Sequence, residues 1–159
     1  MTALASRLLA WAERTMAARE PDFIVGGKDN PYLLRWWIVP RNGLFNIYLH
    51  KFLRDDDDRA LHDHPWPSLS FVLGGGYIEH TPGRQWARTP GALVVRRATS
   101  AHRVELFRDG DSPRAAISLF FTGPHIRRWG FHCPNGWVHW KVFVQETDHG
   151  AVGRGCGEP

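Results

Sequence analysis

The chain has 159 residues, 43% of them hydrophobic and 23% charged, with 8 Trp and 9 Phe. That composition excludes a disordered segment and describes a single globular domain, long enough to bury roughly two thirds of its unfolded surface. The net charge of +4 is too small and too scattered to argue for nucleic acid, and it suits an acidic small molecule equally well.

Residues 3–19, ALASRLLAWAERTMAAR, carry Leu4, Leu8, Trp11 and Met16 near helical spacing among good helix formers. The apolar patch 8–12 is followed at once by Glu13 with no small-residue cleavage site, so a signal peptide is not expected. Pro21 ends the helix, and FIVGGKDNP reads as a loop. No stretch approaches the roughly 18 apolar residues of a membrane span.

From there β-branched and aromatic residues dominate. Strands are predicted at 32–39 and 44–53, joined by the turn ProArgAsnGly at 40–43. Asp55 to Asp58 form a polar connection. One strand is predicted over 60–72, then strands at 77–80, 85–88, 92–96, 102–107, 115–122 and 137–144, separated by Pro, Gly, Asp or Ser clusters. Short strands at this spacing, about eight to ten of them, indicate an all-β sandwich or barrel with one helix in front of it. The organisation is therefore a helix over 1–22, a barrel over 23–148 and a Gly-rich flexible tail over 149–159. Cys133 and Cys156 are the only cysteines, and the second lies in that tail. They read as free thiols in a reducing, cytoplasmic setting.

Within the run LHDHPWPS at 61–68, strand alternation puts His62 and His64 on one face and Asp63 on the other. Two imidazoles about 7 Å apart along a strand can converge on one divalent ion. His102 lies one hairpin downstream and makes a third candidate ligand. In FNIYLHKF at 45–52, Asn46, Tyr48 and His50 share a face opposite Phe45, Ile47 and Leu49. If the polar face lines a cavity, Tyr48 and His50 are candidate catalytic groups, His50 being able to titrate near neutral pH. Ser68 and Ser70 share the parity of the histidine pair and are candidate substrate contacts. His80, ending its strand, reads as a hydrogen-bonded hairpin residue. The segment 123–140 is dense in His, Trp and Arg. Arg127 or Arg128 is a candidate to hold a carboxylate or phosphate, a solvent-facing pair being the default reading, while His132, Cys133 and His139 match no zinc motif.

The spacing of His62, His64, Ser68 and Gly75, followed by Gly91, Arg97, Thr99 and His102, resembles the two motifs of the cupin superfamily, G-x5-H-x-H-x3,4-E-x6-G and G-x5-P-x-G-x2-H-x3-N. The identities depart from it: Asp56 replaces the first glycine, Ser68 the glutamate, Arg97 and Thr99 the proline and glycine, and Leu106 the asparagine. The resemblance implies a cupin jelly-roll barrel, a double-stranded β-helix, with a divalent metal on His62, His64 and His102. Three neutral imidazoles leave such an ion its full charge and more open positions than three imidazoles and a carboxylate.

Glu79 on the next strand is an alternative source of that carboxylate, and Asp63 points the wrong way. Similarity to cysteine dioxygenase-type cupins implies Fe(II), with Mn, Ni or Zn as alternatives, and a dioxygenase acting on a small, anionic molecule. Those enzymes carry Ser, His and Tyr at alternate positions of a late strand. Ser118, Phe120 and Thr122 stand here instead, which disfavours a thiol substrate. The same metal set serves an isomerase, lyase or hydrolase, and the barrel alone serves a non-catalytic binding module. Small barrels of this kind also pair edge strands, so a homodimer is an expectation by analogy.

Overall fold

A computed structural model describes residues 3–56, 60–145 and 152–157. Helix α1 (Ala3–Ala18) forms as the periodicity predicts. Its Leu8, Leu9, Trp11 and Met16 pack on Trp36, Leu49 and Leu73 of the sheet beneath. The Trp36 indole N–H donates to the Arg19 carbonyl at 3.0 Å, which satisfies a carbonyl that the helix end leaves open.

Fourteen strands follow among the described residues. The loop expected after α1 contains β1 (Phe23–Val25), which is followed by β2 (Leu33–Trp37) and β3 (Asn46–Phe52). The single strand expected over 60–72 is instead β4 (Leu61–His62) and β5 (Ser68–Gly74). Pro65 and Pro67 fall between them, and a residue without an N–H cannot continue a ladder. Next come β6 (Tyr77–Thr81), β7 (Arg84–Arg88), β8 (Leu93–Arg96) and β9 (Arg103–Leu106), all as expected. A small hairpin, β10 (Arg108–Asp109) with β11 (Ser112–Pro113), precedes β12 (Ala116–Thr122). The strand expected at 137–144 resolves into β14 (Gly136–His139) and a short helix α2 (Trp140–Phe143), after an unanticipated β13 (Gly130–Cys133).

One sheet has the order β1-β2-β3-β12-β5-β8 and carries α1 on its outer face. Opposite lie two three-stranded sheets, β7-β6-β9 and β14-β13-β4. An antiparallel bridge between His62 and His102 joins them. The pair exchanges both backbone hydrogen bonds, each 2.9 Å. Gly75 makes the turn from β5 to β6 with φ of 68°, and a Cβ there would lie 2.1 Å from the Ala115 carbonyl oxygen, so only glycine fits. These are the layers of a double-stranded β-helix.

The cysteines overturn the reading of free thiols. Cys133 of β13 and Cys156 of the tail form a disulfide. The tail, expected to be flexible, is further tied by a bridge between Val144 and Val152 and by Gly153 N–H donating to the Phe143 carbonyl at 2.9 Å. The reducing environment inferred from cysteine count therefore loses its support. Asp57 and Asp58 of the acidic connection lie outside the described residues, as do 146–151. No helix among the described residues is long and apolar enough to cross a membrane.

The disulfide closes a loop with a sequence separation of 23. Reduction, or Cys156→Ser, is expected to lower the unfolding free energy by about 3 kcal/mol, measured by urea unfolding with and without reductant. Thiol titration of the unfolded, unreduced chain should find no free thiol; two thiols per chain would exclude the bond.

Candidate metal centre

The seam between the half-sheets brings the three histidines together. His62 and His102 are directly opposed across it, and His64 follows in extended backbone with its N–H on the Ala98 carbonyl at 3.1 Å. Alternation therefore survives past the end of β4, and His62 and His64 both face inward. The ring centroids form a near-equilateral triangle with sides of 4.8, 5.1 and 5.1 Å. One ligating nitrogen from each ring lies within 4.8 Å of the other two. His64 Nε2 and His102 Nε2 are 2.9 Å apart. Two nitrogens about 2.1 Å from one ion and at right angles to each other would be about 3.0 Å apart, so the donor set fits a first-row divalent metal.

Burial pushes the pKa of His64 well below its usual 6.5, with the charges of its histidine neighbours adding to the effect. His102 is depressed to about 3, by burial first and by Arg96 second. Both therefore present neutral lone pairs, the form a metal needs.

Glu79 and Asp63 lie behind the ligands rather than among them, and Asp56 lines the cavity beside His62. Glu79, 2% exposed, places Oε1 3.3 Å from His102 Nδ1, an ion–dipole contact looser than a hydrogen bond, which turns Nε2 toward the other two rings. Its main partners are Arg96 at 2.5 Å and Arg88 at 2.7 Å. Burial alone would raise the Glu79 pKa, but His102 and the two arginines outweigh it and hold it at about 2.

Asp63 points away from the cluster, as alternation requires, but it is not at the surface, being 1% exposed. It accepts from Gly130 N–H at 2.9 Å, and from His132 Nε2 and Trp137 Nε1 at 3.1 Å each. Asp56 Oδ2 lies 3.9 Å from His62 Nδ1 and accepts from Val104 N–H at 2.7 Å.

The histidines open into a cavity of about 490 Å³ lined mainly by apolar and aromatic side chains. Trp129 stacks 6.4 Å from His64, and Phe131 lies 5.8 Å from His62. This is the structural role of the dense 123–140 segment: β13, β14 and α2 form one wall, and Asp63 pins that wall to the histidine pair. A second concavity of similar volume between the end of α1 and Lys51 is more open and holds no ligating cluster among the described residues.

Of the residues singled out from sequence, Tyr48, His50 and Ser70 line the cavity. The polar face of β3 thus points inward. His50 does not titrate near neutral pH as expected from its type: burial, aided by Arg35, pushes its pKa well below 6.5. Arg35 Nε donates to His50 Nε2 at 2.9 Å. Ser68, in the place of the motif glutamate, is buried but does not line the cavity. Its hydroxyl and that of Thr122, its register partner, have no hydrogen bond within the protein.

Arg127 is not at the cavity either; it pairs with Asp63 at 2.9 Å and donates to the Ala98 carbonyl at 3.3 Å. His80 pairs with Glu105 at 2.7 Å, the hairpin role expected. Cys133 is consumed by the disulfide. Sequence reading missed Arg35 and Arg96, both of which line the cavity. The available signal for each was parity: Arg35 alternates with Leu33 and Trp37 on β2, and Arg96 with Val94 on β8.

No protein-family model matches the chain, and no curated protein matches it in sequence. Solved structures do match in fold. DMSP lyase DddQ from Ruegeria pomeroyi superposes with a TM-score of 0.58 at 14% identity, over 86% of this chain and 72% of that one. A cupin-2 domain from Rhodospirillum rubrum gives 0.55 at 14%, over 72% and 76%. A protein provisionally assigned as a mannose-6-phosphate isomerase, from Ralstonia eutropha, gives 0.50 at 20%, over 65% and 92%. The chain shares the double-stranded β-helix fold of these structures, with a three-histidine cluster where the two half-sheets meet.

Two substitutions test these electrostatics. Glu79→Gln strips Arg96, 6% exposed, of its anion, and is expected to cost about 3–5 kcal/mol in chemical denaturation. His50 takes a proton in the unfolded chain below about 6.5 but not in the folded one, so the native state binds fewer protons and stability falls as pH drops through that value. The slope from this group is about 1.4 kcal/mol per pH unit. His50→Gln should remove it; an unchanged stability profile between pH 6.5 and 5 would contradict the assignment.

Proposed function

We propose that the protein is a mononuclear metal-dependent enzyme, a non-haem Fe(II) dioxygenase acting on a small anionic molecule. The observation that carries this reading is the convergence of three imidazoles, with no carboxylate in the ligating cluster, at the wall of an aromatic-lined cavity. His62, His64 and His102 would hold the ion. When bound, iron supplies one-electron chemistry with O₂ and an open face at which substrate can coordinate.

The chain's own groups then have distinct tasks. Glu79 fixes the tautomer and direction of His102. Trp129 and Phe131 exclude water from the histidine face. Tyr48, Ser70 and Ser118 are among the polar side chains offered to substrate. His50, with Nε2 engaged by Arg35, acts by holding that arginine in place rather than by carrying a proton.

A Lewis-acid lyase or isomerase is the second reading, and it is supported by the same histidine set and by the lyase among the fold neighbours. Oxygen consumption separates the two.

Anaerobic reconstitution with Fe(II), Mn(II), Ni(II) and Zn(II) is expected to load one ion per chain, and His62→Ala to abolish loading, by metal quantitation. Oxygen uptake by the Fe(II) form over a panel of small acids and diketones should find a substrate. Turnover of a panel member with Zn(II) and without oxygen would favour the second reading, and no stoichiometric metal would end both.

A further inference from the structure

The arginines around this cavity differ in one respect. Arg88 and Arg96 share Glu79, and Arg127 has Asp63. Arg35 has no carboxylate: its polar contact is the neutral His50, and its guanidinium lies over the rings of Tyr48 at 4.8 Å and Phe23 at 5.8 Å. Among the described residues, the groups whose titration couples to it are Arg41, Tyr32 and Tyr48, none of them an Asp or Glu. It is half-buried on the cavity wall, and burial draws its pKa down to about 10, so it stays a cation at neutral pH. A partly desolvated cation without an anion is costly, and the cavity is where an anion can reach it.

We propose that Arg35 is the anion-recognition residue of the cavity, binding the carboxylate of a small acid with an apolar body. Its Nε is fixed on His50, which leaves the two terminal nitrogens to face a carboxylate end-on. The rest of the lining selects the body of the ligand. It includes Phe23, Trp37, Phe52 and Phe120 and no lysine. Asp56, the acid on the lining that an amino group would seek, is engaged by Val104 N–H. One guanidinium matches one negative charge, so a monocarboxylate fits better than a phosphate dianion. Arg41, exposed and 5.5 Å over the Trp37 ring, also lines the cavity and adds positive potential there.

The inference rests on the reading of the cavity as a substrate site, but its test needs no metal. Metal-free protein is titrated by calorimetry, at constant ionic strength, with benzoate, its neutral isostere benzamide, and inorganic phosphate. Benzoate is expected to bind at least about tenfold tighter than benzamide. Arg35→Met should bring the ratio close to one, Arg35→Lys should leave it intermediate, and Arg41→Gln should leave the preference in place. Equal affinities in the wild type, no saturable benzoate binding, or a preference that survives Arg35→Met would each overturn the assignment.

Phosphate binding tighter than benzoate would overturn the carboxylate class. If Arg35→Met does not fold, by circular dichroism, the wild-type protein still decides. The Arg35 Nε–H resonance, assigned by its loss in Arg35→Lys, should shift saturably with benzoate and not with benzamide, and an unmoved resonance rejects the proposal. Failure of metal loading leaves these outcomes untouched, so the two readings fail separately.

Discussion

The reciprocal backbone pair between His62 and His102 is the constraint on which the rest depends. It joins β7-β6-β9 to β14-β13-β4 into one wall of the barrel, and the two residues that make the join also carry two of the three imidazoles. A directly opposed antiparallel pair holds its side chains close on one face. The convergence of these rings is therefore set by the same hydrogen bonds that close the fold, and moving either ligand apart from the other means opening the seam. Such a site is organised before any ion arrives, which lowers what binding has to spend on ordering.

Around that seam the charges are sorted by direction. Asp63 and Glu79, each almost fully buried, both turn their carboxylates away from the space between the rings, one to the β13–β14 wall and one to the arginines and the far nitrogen of His102. The interior thus keeps imidazoles, those of His64 and His102 held neutral by burial, beside guanidiniums and the Asp56 carboxylate. For His102 the desolvation penalty on a charged ring and the repulsion from Arg96 outweigh the attraction of Glu79, so its pKa falls rather than rises. A cation bound at the histidines would be stabilised by their lone pairs, with the carboxylates of Glu79 and Asp56 3.3 and 3.9 Å from the far nitrogens of His102 and His62.

Much of this was legible in the chain, for physical reasons that differ by element. α1 is written in a 3.6-residue repeat, and the inward face of β3 in a strict alternation, both strong local signals. The histidine cluster was legible from spacing, because a strand, a hairpin and a returning strand fix which residues can face one another. The break between β4 and β5 was written in Pro65 and Pro67, whose missing N–H groups count for more than the surrounding β propensity.

What was not legible depended on long-range packing. β13 is a four-residue strand that exists because β4 and β14 flank it. The disulfide joins a strand end to a Gly-rich tail whose path no local rule specifies. Arg127 attracted notice because it sits in a conspicuous segment, whereas Arg35, in the run LLRWW, looks like an interruption of an apolar strand. Its parity with Leu33 and Trp37 hinted at an inward position, and the register that aligns Arg35 with His50 places it on the inside.

The replacement of the motif glutamate by Ser68 takes on a specific meaning in this setting. A serine there puts no charge near the histidines, and its hydroxyl lies outside the cavity, buried opposite Thr122. Glu79 does not substitute for the lost ligand, since its oxygens are held by Arg88, Arg96 and His102. Recruiting it to a metal would strand two arginines, one of them fully enclosed, at a cost of several kcal/mol. A bound divalent ion therefore keeps its whole charge within a cavity that already holds the unpaired Arg35. Arg35 and a bound ion would together outweigh the lining carboxylate Asp56, whose oxygen is engaged by Val104 N–H, and so would favour a ligand with negative charge, whichever reaction the metal supports.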